Sequence, residues 1–368
     1  MVGGVEYHRM VQPHKVLRRH YAEYDLQMSN LLDHVPDTLL AEKDLVIFSR
    51  TIHDSAAERL NQMSIPFGLD LDDWWIVPEN HIAYAGYKEA DVPGWTERSI
   101  RNAHFVTCTT PILAEKIKPL NPNVYVIENG IDSEDPIWQP NKIPSKRLRF
   151  GFTQGNSHYE DLKSIADSAS KCFNDIHFYF KGQLVLCGFY GEDSSWKKLT
   201  MEQIYELMLT GNHKGLKQER EYLRELLMLN KPDGSDEPYA RQWGVTVDKF
   251  GSVYDSFDVS VAPLVKGEFN SCKSELKMLE AAAKDCAIIC NHNAPYDLLA
   301  TDKNSFDLNK KTFREWARIL INNPNMIEDS KAQLKEDVKR YDLKTLSIKR
   351  NEVYKKYGRK NNNSQSAA

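Results

Sequence analysis

Nowhere in its 368 residues does the chain hold an apolar run near the ~20 residues that a bilayer-spanning helix needs. Cysteine is scarce. The six residues at 108, 172, 187, 272, 286 and 290 are too scattered for a disulfide framework. No histidine stands beside Cys286 and Cys290 at zinc-binding spacing, so the cysteines read as reduced core residues. The opening Met1-Val-Gly-Gly-Val-Glu-Tyr-His-Arg lacks the apolar core of a secretion signal, so a cytoplasmic location is expected. There is no surplus of positive charge either. A net charge of −4 weighs against a general nucleic-acid binder. What remains, 41% hydrophobic and 27% charged, is an ordinary soluble composition of a length that suits two domains.

Short apolar runs alternate with helical patterns through both halves. Gly3-Gly4 opens a helical segment, 5–21, with a basic stripe at Lys15, Arg18 and Arg19, and glycines at a helix start let a ligand approach the backbone. The strand Asp44–Phe48 runs into Ser49-Arg-Thr-Ile-His53. Polar residues past the carboxyl end of a strand are where open α/β sheets bind ligands, so Arg50 and His53 are candidates for an acceptor pocket. A second strand, Phe67–Leu71, leads into Asp72, Asp73, Trp74 and Trp75, then Pro78-Glu-Asn-His81. Alternation along the strand splits Asp70 and Asp72 from Asp73, which disfavours a metal site. One carboxylate that orients or deprotonates a sugar hydroxyl, with a tryptophan face beside it, fits better. Further elements are expected at Trp95–Asn102 (helix), Phe105–Thr109 (strand), Ile112–Lys118 (helix) and Val124–Ile127 (strand), with an Asn-Gly turn at 129–130. Pro136, Pro140 and Pro144 mark an interdomain linker.

The second half repeats this logic. The strand Leu148–Phe152 runs into Gly155, Asn156 and His158 ahead of a helix at 162–171, a plausible phosphate cradle. Strands are expected at Ile176–Phe180 and Leu184–Gly188, and residues 190–242 read as a mostly helical insertion. A helix over Val247–Phe257 feeds a strand ending in Val-Ala-Pro-Leu264. The stretch Lys266-Gly-Glu-Phe-Asn-Ser-Cys-Lys-Ser-Glu-Leu-Lys-Met-Leu-Glu-Ala-Ala-Ala283 follows, and another strand at 286–290 completes a βαβ unit. The helix is expected to begin near Asn270 or Ser271, which puts Lys273 and Ser274 in its first turn. Lys273, Lys277 and Glu280 then share one face. Such a face can be a plain solvated surface with i,i+3 pairing. It can equally hold phosphates at the helix start and a hydroxylated ring two turns on. Helices at 311–321, 326–341 and 344–357 and a polar, disordered tail at 358–368 close the chain.

Taken together, Gly3-Gly4-Val-Glu, Val126-Ile-Glu-Asn-Gly-Ile-Asp132, Asp258-Val-Ser-Val-Ala-Pro-Leu264 and Phe269-Asn-Ser-Cys-Lys-Ser-Glu-Leu-Lys-Met-Leu-Glu-Ala281 resemble the retaining nucleotide-sugar glycosyltransferases of the GT-B fold, family 4 (the "group 1" transferases). The last is similar to one subgroup's Lys-Ser-x-x-Lys-x-x-Glu helix. The resemblance implies an α/β fold of two Rossmann-like domains facing a central cleft. An acceptor-side domain spans 1–140, a donor-binding domain 145–325, and C-terminal helices at 326–357 cross back to the first domain. The chain departs from the family in three ways. Cys272 stands where the first glutamate of a pair belongs, the usual diphosphate-holding Arg and Lys are not obvious, and the strand before Gly3 is absent.

The implied activity is metal-independent transfer of a hexosyl or related sugar from a nucleoside-diphosphate donor to an acceptor hydroxyl, with retention and no cofactor. Lys273, Asp72 and His53 are the catalytic candidates. Gly155, Asn156, His158, Asn270, Ser274, Lys277 and Glu280 form the donor side, with Glu280 on the ribose, and Gly3, Gly4, Arg50, Asp73 and His81 the acceptor side. Glu268, Asn270 or the backbone must supply the sugar contacts that Cys272 cannot. The acceptor is expected to be a glycan or lipid-linked glycan, with nucleic acid disfavoured by charge and peripheral membrane contact open through the basic N-terminal helix. The competing readings are a sugar-nucleotide epimerase or hydrolase on the same fold, and an inactive nucleotide-binding module.

Overall fold

The computed structural model describes residues 3–29, 32–174, 181–189, 206, 208, 232 and 238–359. Two parallel sheets organise it. The first carries β1 (Val46–Ser49), β2 (Phe67–Leu71), β3 (Phe105–Cys108) and β4 (Val124–Val126) in sequential order. The second carries β5 (Leu148–Phe152), β6 (Gly182–Phe189), β7 (Tyr239–Trp243), β8 (Val259–Ala262), β9 (Ala287–Cys290) and β10 (Phe306–Asp307), in the order β10-β9-β8-β5-β6-β7. Strands of a parallel sheet are covered on both faces and read as continuous apolar runs. That is why β2, β3, β8 and β9 are buried at every position, while the edge strands β1 and β4 are half-buried. The strand expected at 176–180 and most of the insertion expected at 190–242 lie outside the described residues. Tyr239–Trp243 is not part of an insertion. It pairs with β6 as the sheet's edge.

The N-terminal segment enters at once as helix, Gly4–Glu6, a π-turn at Tyr7–Val11, then Gln12–His20. Its inward face repeats at i,i+4: His8 and Arg9, Gln12 and Pro13, Val16 and Leu17 are all buried. The supposed basic stripe is therefore divided. Lys15 and Arg18 are exposed, whereas Arg19 is bound bidentately to Asp132 at 2.8 and 3.1 Å.

Helix Leu343–Tyr357 crosses back to this segment, with Leu343 and Leu346 on Val16, and Val353 and Tyr354 in one cluster with Leu17, Phe105 and Ile127. The preceding helix, Pro324–Asp337, stays with the second domain against Leu276–Ala283 and β9. The proline-rich connection is packed rather than loose. Trp138 is buried in the second domain's core, and Lys142 Nζ donates to the carbonyls of Tyr254 and Phe257. The expectation of disorder from 358 fails at its first residues. Arg359 donates to the carbonyls of Ala41, Met63 and Ser64, and its own N–H to Asp44. Among the described residues no helix is long and apolar enough to cross a membrane.

Candidate active site in the interdomain cleft

The segment leaving β8 does not form the single helix that its spacing predicts. It folds as Glu268–Ser271 and Leu276–Ala283 with a turn between them. The N–H groups of Cys272 and Lys273 bond back to Phe269 and Asn270, i→i−3 links that tighten and end the first piece. Lys273 and Ser274 thus stand just ahead of the second helix, and no continuous face joins Lys273 to Glu280. The Lys273 ammonium lies 4.7 Å from the centre of the Phe269 ring. Among the described residues it has no carboxylate partner, although the side chain is half-buried.

The loop after β5 meets this segment. His158 Nδ1 lies 2.7 Å from Asp161 Oδ2. Asp161 Oδ1 accepts from Val265 N at 2.8 Å and Asn270 Nδ2 at 2.9 Å, which ties the β5 loop to the β8 loop. Burial, and next the Lys273 charge, hold the His158 pKa below its ordinary value against the pull of Asp161. The Gly155 backbone borders open space, as does Gly267. Asn156 opens the 3-10 turn between them and His158.

Glu280 is occupied. Tyr254 donates to its Oε2 at 2.6 Å and Lys277 at 2.9 Å, while His8 Nε2 approaches Oε1 at 3.5 Å. The i,i+3 pairing of Lys277 with Glu280 is therefore present, but buried rather than solvated. A ribose reaching Glu280 would have to displace one of these partners.

Across the cleft, Gly3 caps the N-terminal helix, and Glu6 of its first turn adds to the field on Arg50 from Asp72 and Asp73. Arg50 sits at φ 66, a left-handed conformation uncommon for a non-glycine residue, with Nε 3.5 Å from Asp72 Oδ1. Burial and then the neighbouring Asp73 push the Asp72 pKa up to about 7, against the opposing pull of Arg50. Asp70 is drawn inward to Arg9 instead. His53 is the N-cap of helix Asp54–Gln62, its ring edge-on to Trp95 at 4.5 Å, so it is engaged there rather than with Asp72.

The raised pKa of Asp72 has a stability consequence. A carboxyl whose folded pKa exceeds its unfolded value keeps its proton in the native state while the unfolded chain loses it. Stability therefore falls as pH rises from about 4 to about 7 and is flat beyond. Asp72→Asn removes this term. The variant's advantage over the parent in thermal unfolding should be small at pH 5 and larger at pH 8; equal melting differences at both pH values would contradict the assignment.

The domains touch at several points of one segment. Asn129 Nδ2 donates to Ser274 Oγ at 2.7 Å, Lys116 pairs with Glu268, and His81 packs on Phe269 with centroids 5.2 Å apart. Cys272, where the family pattern has a glutamate, is fully buried and joins the first domain's apolar cluster, so it faces that core and no ligand. A cavity of about 370 Å³ opens between residues 74–82 of the first domain and 157–161 and 265–270 of the second.

The structure thus gathers Lys273, Lys277, His158, Asn270, Ser274 and Glu280 on one side and Gly3, Gly4, Arg50, Asp72 and Asp73 on the other, with His81 on the cavity. His8, Tyr254, Asp161 and Asn129 join the site through contacts that the sequence does not signal. Asn129 was legible only as a turn residue, and His8 only as one base in a run. Among the described residues no group of three or more His, Cys, Asp or Glu could hold a metal ion.

No protein-family pattern and no curated protein matches the chain. Solved structures do. TarM aligns at TM-score 0.54 and 11% identity over 84% of this chain, which spans only about half (54%) of that protein. Anabaena Alr3699/HepE, in complex with UDP and glucose, aligns at TM-score 0.55 and 13% identity over 86% of this chain and 79% of its own. An alpha-glucosyltransferase, in complex with UDP and a DNA containing an HMU base, aligns at TM-score 0.54 and 13% identity over 86% and 82%. The fold is that of the GT-B glycosyltransferases: two Rossmann-like domains facing a cleft.

Proposed function

We propose that the chain is a glycosyltransferase that moves a sugar from a nucleoside-diphosphate donor to an acceptor hydroxyl, with retention and without a metal ion. One observation carries this reading. Lys273 is a half-buried cation without an acidic partner among the described residues, held where β5 and β8 end and a helix begins. A helix start and a cation together favour a phosphate. His158, Lys277, the open backbone at Gly155 and the turn that starts at Asn156 complete the donor side.

In the reaction the bond from the anomeric carbon to the diphosphate breaks and a bond to the acceptor oxygen forms on the same face. The acceptor proton passes to the departing phosphate oxygen. Lys273 stabilises the charge that develops on that phosphate. Asp72, beside Arg50 at the ends of β1 and β2, orients the acceptor hydroxyl.

A thermal-shift series with nucleoside diphosphates tests the donor side directly. A ligand at 100 times its Kd should raise stability by about 2.7 kcal/mol. Silence across all the common bases would end the reading. Binding with neither transfer nor hydrolysis of the sugar nucleotides would favour the inactive-module alternative, and conversion of donor without any acceptor would favour an epimerase or hydrolase.

A further inference from the structure

We propose that His8 gates the donor site: the N-terminal helix reaches across from the first domain and holds the Glu280 carboxylate until a nucleoside displaces it. The inference rests on the glycosyl-transfer reading, which puts the ribose at Glu280, and adds a control on when the ribose can bind.

Glu280 gives the first argument. It is 1% exposed, and its Oε2 accepts from Tyr254 at 2.6 Å and Lys277 at 2.9 Å. No hydrogen bond from the described residues reaches Oε1, where His8 Nε2 stands 3.5 Å away. Oε1 is thus the oxygen with accepting capacity left, and His8 is the group that a ribose hydroxyl has to move. Displacing that one long contact costs less than breaking either bond at Oε2.

The backbone gives the second. Tyr7–Val11 is a π-turn, which takes in one residue more than an α-turn and frequently marks a functional site. It carries His8 and Arg9, adjacent in the chain, both to the buried side. Arg9 is anchored in the first domain on Asp70. His8 turns to the second domain instead, with its ring centre 6.0 Å from that of Trp138. One turn on, Gln12 Nε2 donates to Asp135 at 2.8 Å. The helix therefore bridges the domains, and His8 is where it meets the donor helix.

Charge gives the third. Among the described residues, the charges facing His8 are Glu280 and Lys277 of the donor helix and Arg9 of its own turn. Burial lowers the His8 pKa against the pull of Glu280, and Lys277 and Arg9 lower it further, so the ring gains its proton only below the ordinary 6.5. A neutral imidazole holds a carboxylate weakly, whereas an imidazolium forms a charge-assisted pair. The gate is loose at pH 8 and tightens in acid. A nucleoside binds the released state, so its apparent affinity falls with the fraction released.

The test is isothermal titration calorimetry on the full chain at pH 8 and pH 5.5. The ligands are UDP, ADP and GDP, with inorganic pyrophosphate as a probe that lacks a ribose. His8→Ala should bind the recognised nucleoside diphosphate about five- to tenfold more tightly than the parent at pH 5.5, and gain less at pH 8. It should do so while melting lower, because a buried ring is lost. Pyrophosphate should bind parent and variant alike. His8→Gln keeps a neutral donor beside Glu280, so it should follow the parent at pH 8 and bind more tightly than the parent at pH 5.5. The ligand phosphate and His158 also titrate in acid, and both cancel in that comparison. If His8→Ala does not fold, parent against His8→Gln decides alone. Unchanged or weaker nucleotide binding in His8→Ala, a pyrophosphate affinity that rises with it, or one pH dependence shared by parent and His8→Gln would overturn the gate. Those results leave the transfer reading standing as long as a nucleoside diphosphate binds, whereas silence from all four ligands in parent and variants ends both.

Discussion

Lys273→Ala should lower turnover by about 10²- to 10³-fold, the range found when one preorganised group is removed from a developing charge. Donor affinity should change less, because the charge on the leaving diphosphate grows only as the glycosidic bond breaks. The size of the effect follows from what Lys273 lacks. Lys277 is committed to Glu280 at 2.9 Å and His158 to Asp161 at 2.7 Å, whereas Lys273 is held against the Phe269 ring without a carboxylate among the described residues. In a cleft of lowered dielectric an uncompensated cation acts strongly on an anion that arrives. Lys277→Ala should therefore cost less in turnover and more in stability, since it strips a partner from a buried glutamate. The measurement is kcat and KM for both variants against a donor that the thermal-shift series has identified. Equal turnover in Lys273→Ala and the parent would remove Lys273 from the chemistry.

The strand framework was legible because parallel strands must be apolar on both faces. The run Phe67–Leu71 matches β2 at both ends, and Leu148–Phe152 matches β5. Strands with less of that signature were missed. Tyr239–Trp243 reads Tyr-Ala-Arg-Gln-Trp, with two polar residues in five, because an edge strand tolerates them. The site was only partly legible. Spacing could place Lys277 three residues before Glu280, but it could not show the break at 272–275. That break depends on Cys272 sinking into the other domain and on Asn129 reaching Ser274, a contact between residues 145 positions apart. Glu280 shows the limit most clearly. Its residue type suits a ribose, yet its environment is set by Tyr254 and His8, neither of which is near it in the chain.

The largest expected loss of stability lies away from the diphosphate, at Arg9. Its guanidinium grips Asp70 with Nε and Nη2, each at 2.8 Å, and donates through Nη1 to the Ile127 carbonyl at 2.8 Å and to Asn129 at 3.2 Å. Asp70 also accepts from Thr107 at 2.6 Å, and Arg350 stands 4.0 Å away. Burial alone would raise the Asp70 pKa, but the Arg9 charge and hydrogen bonds hold it below the usual carboxylate range. A depressed carboxylate adds stability above its unfolded pKa and loses it as pH falls through the folded value.

Arg9→Met leaves Asp70 ionised, buried and short of its main partner, which should cost about 3–5 kcal/mol. Melting should fall by on the order of 10 °C. Adding Asp70→Asn removes the stranded charge, so the double variant should be more stable than Arg9→Met alone, a coupling of at least ~1 kcal/mol. Independent effects of the two changes would contradict the pairing. The same helix carries Gly3, Gly4 and His8, so its detachment would unmake the acceptor side and the contact with Glu280 together. Turnover of Arg9→Met should therefore fall well below its melting temperature and recover in the double variant in step with stability.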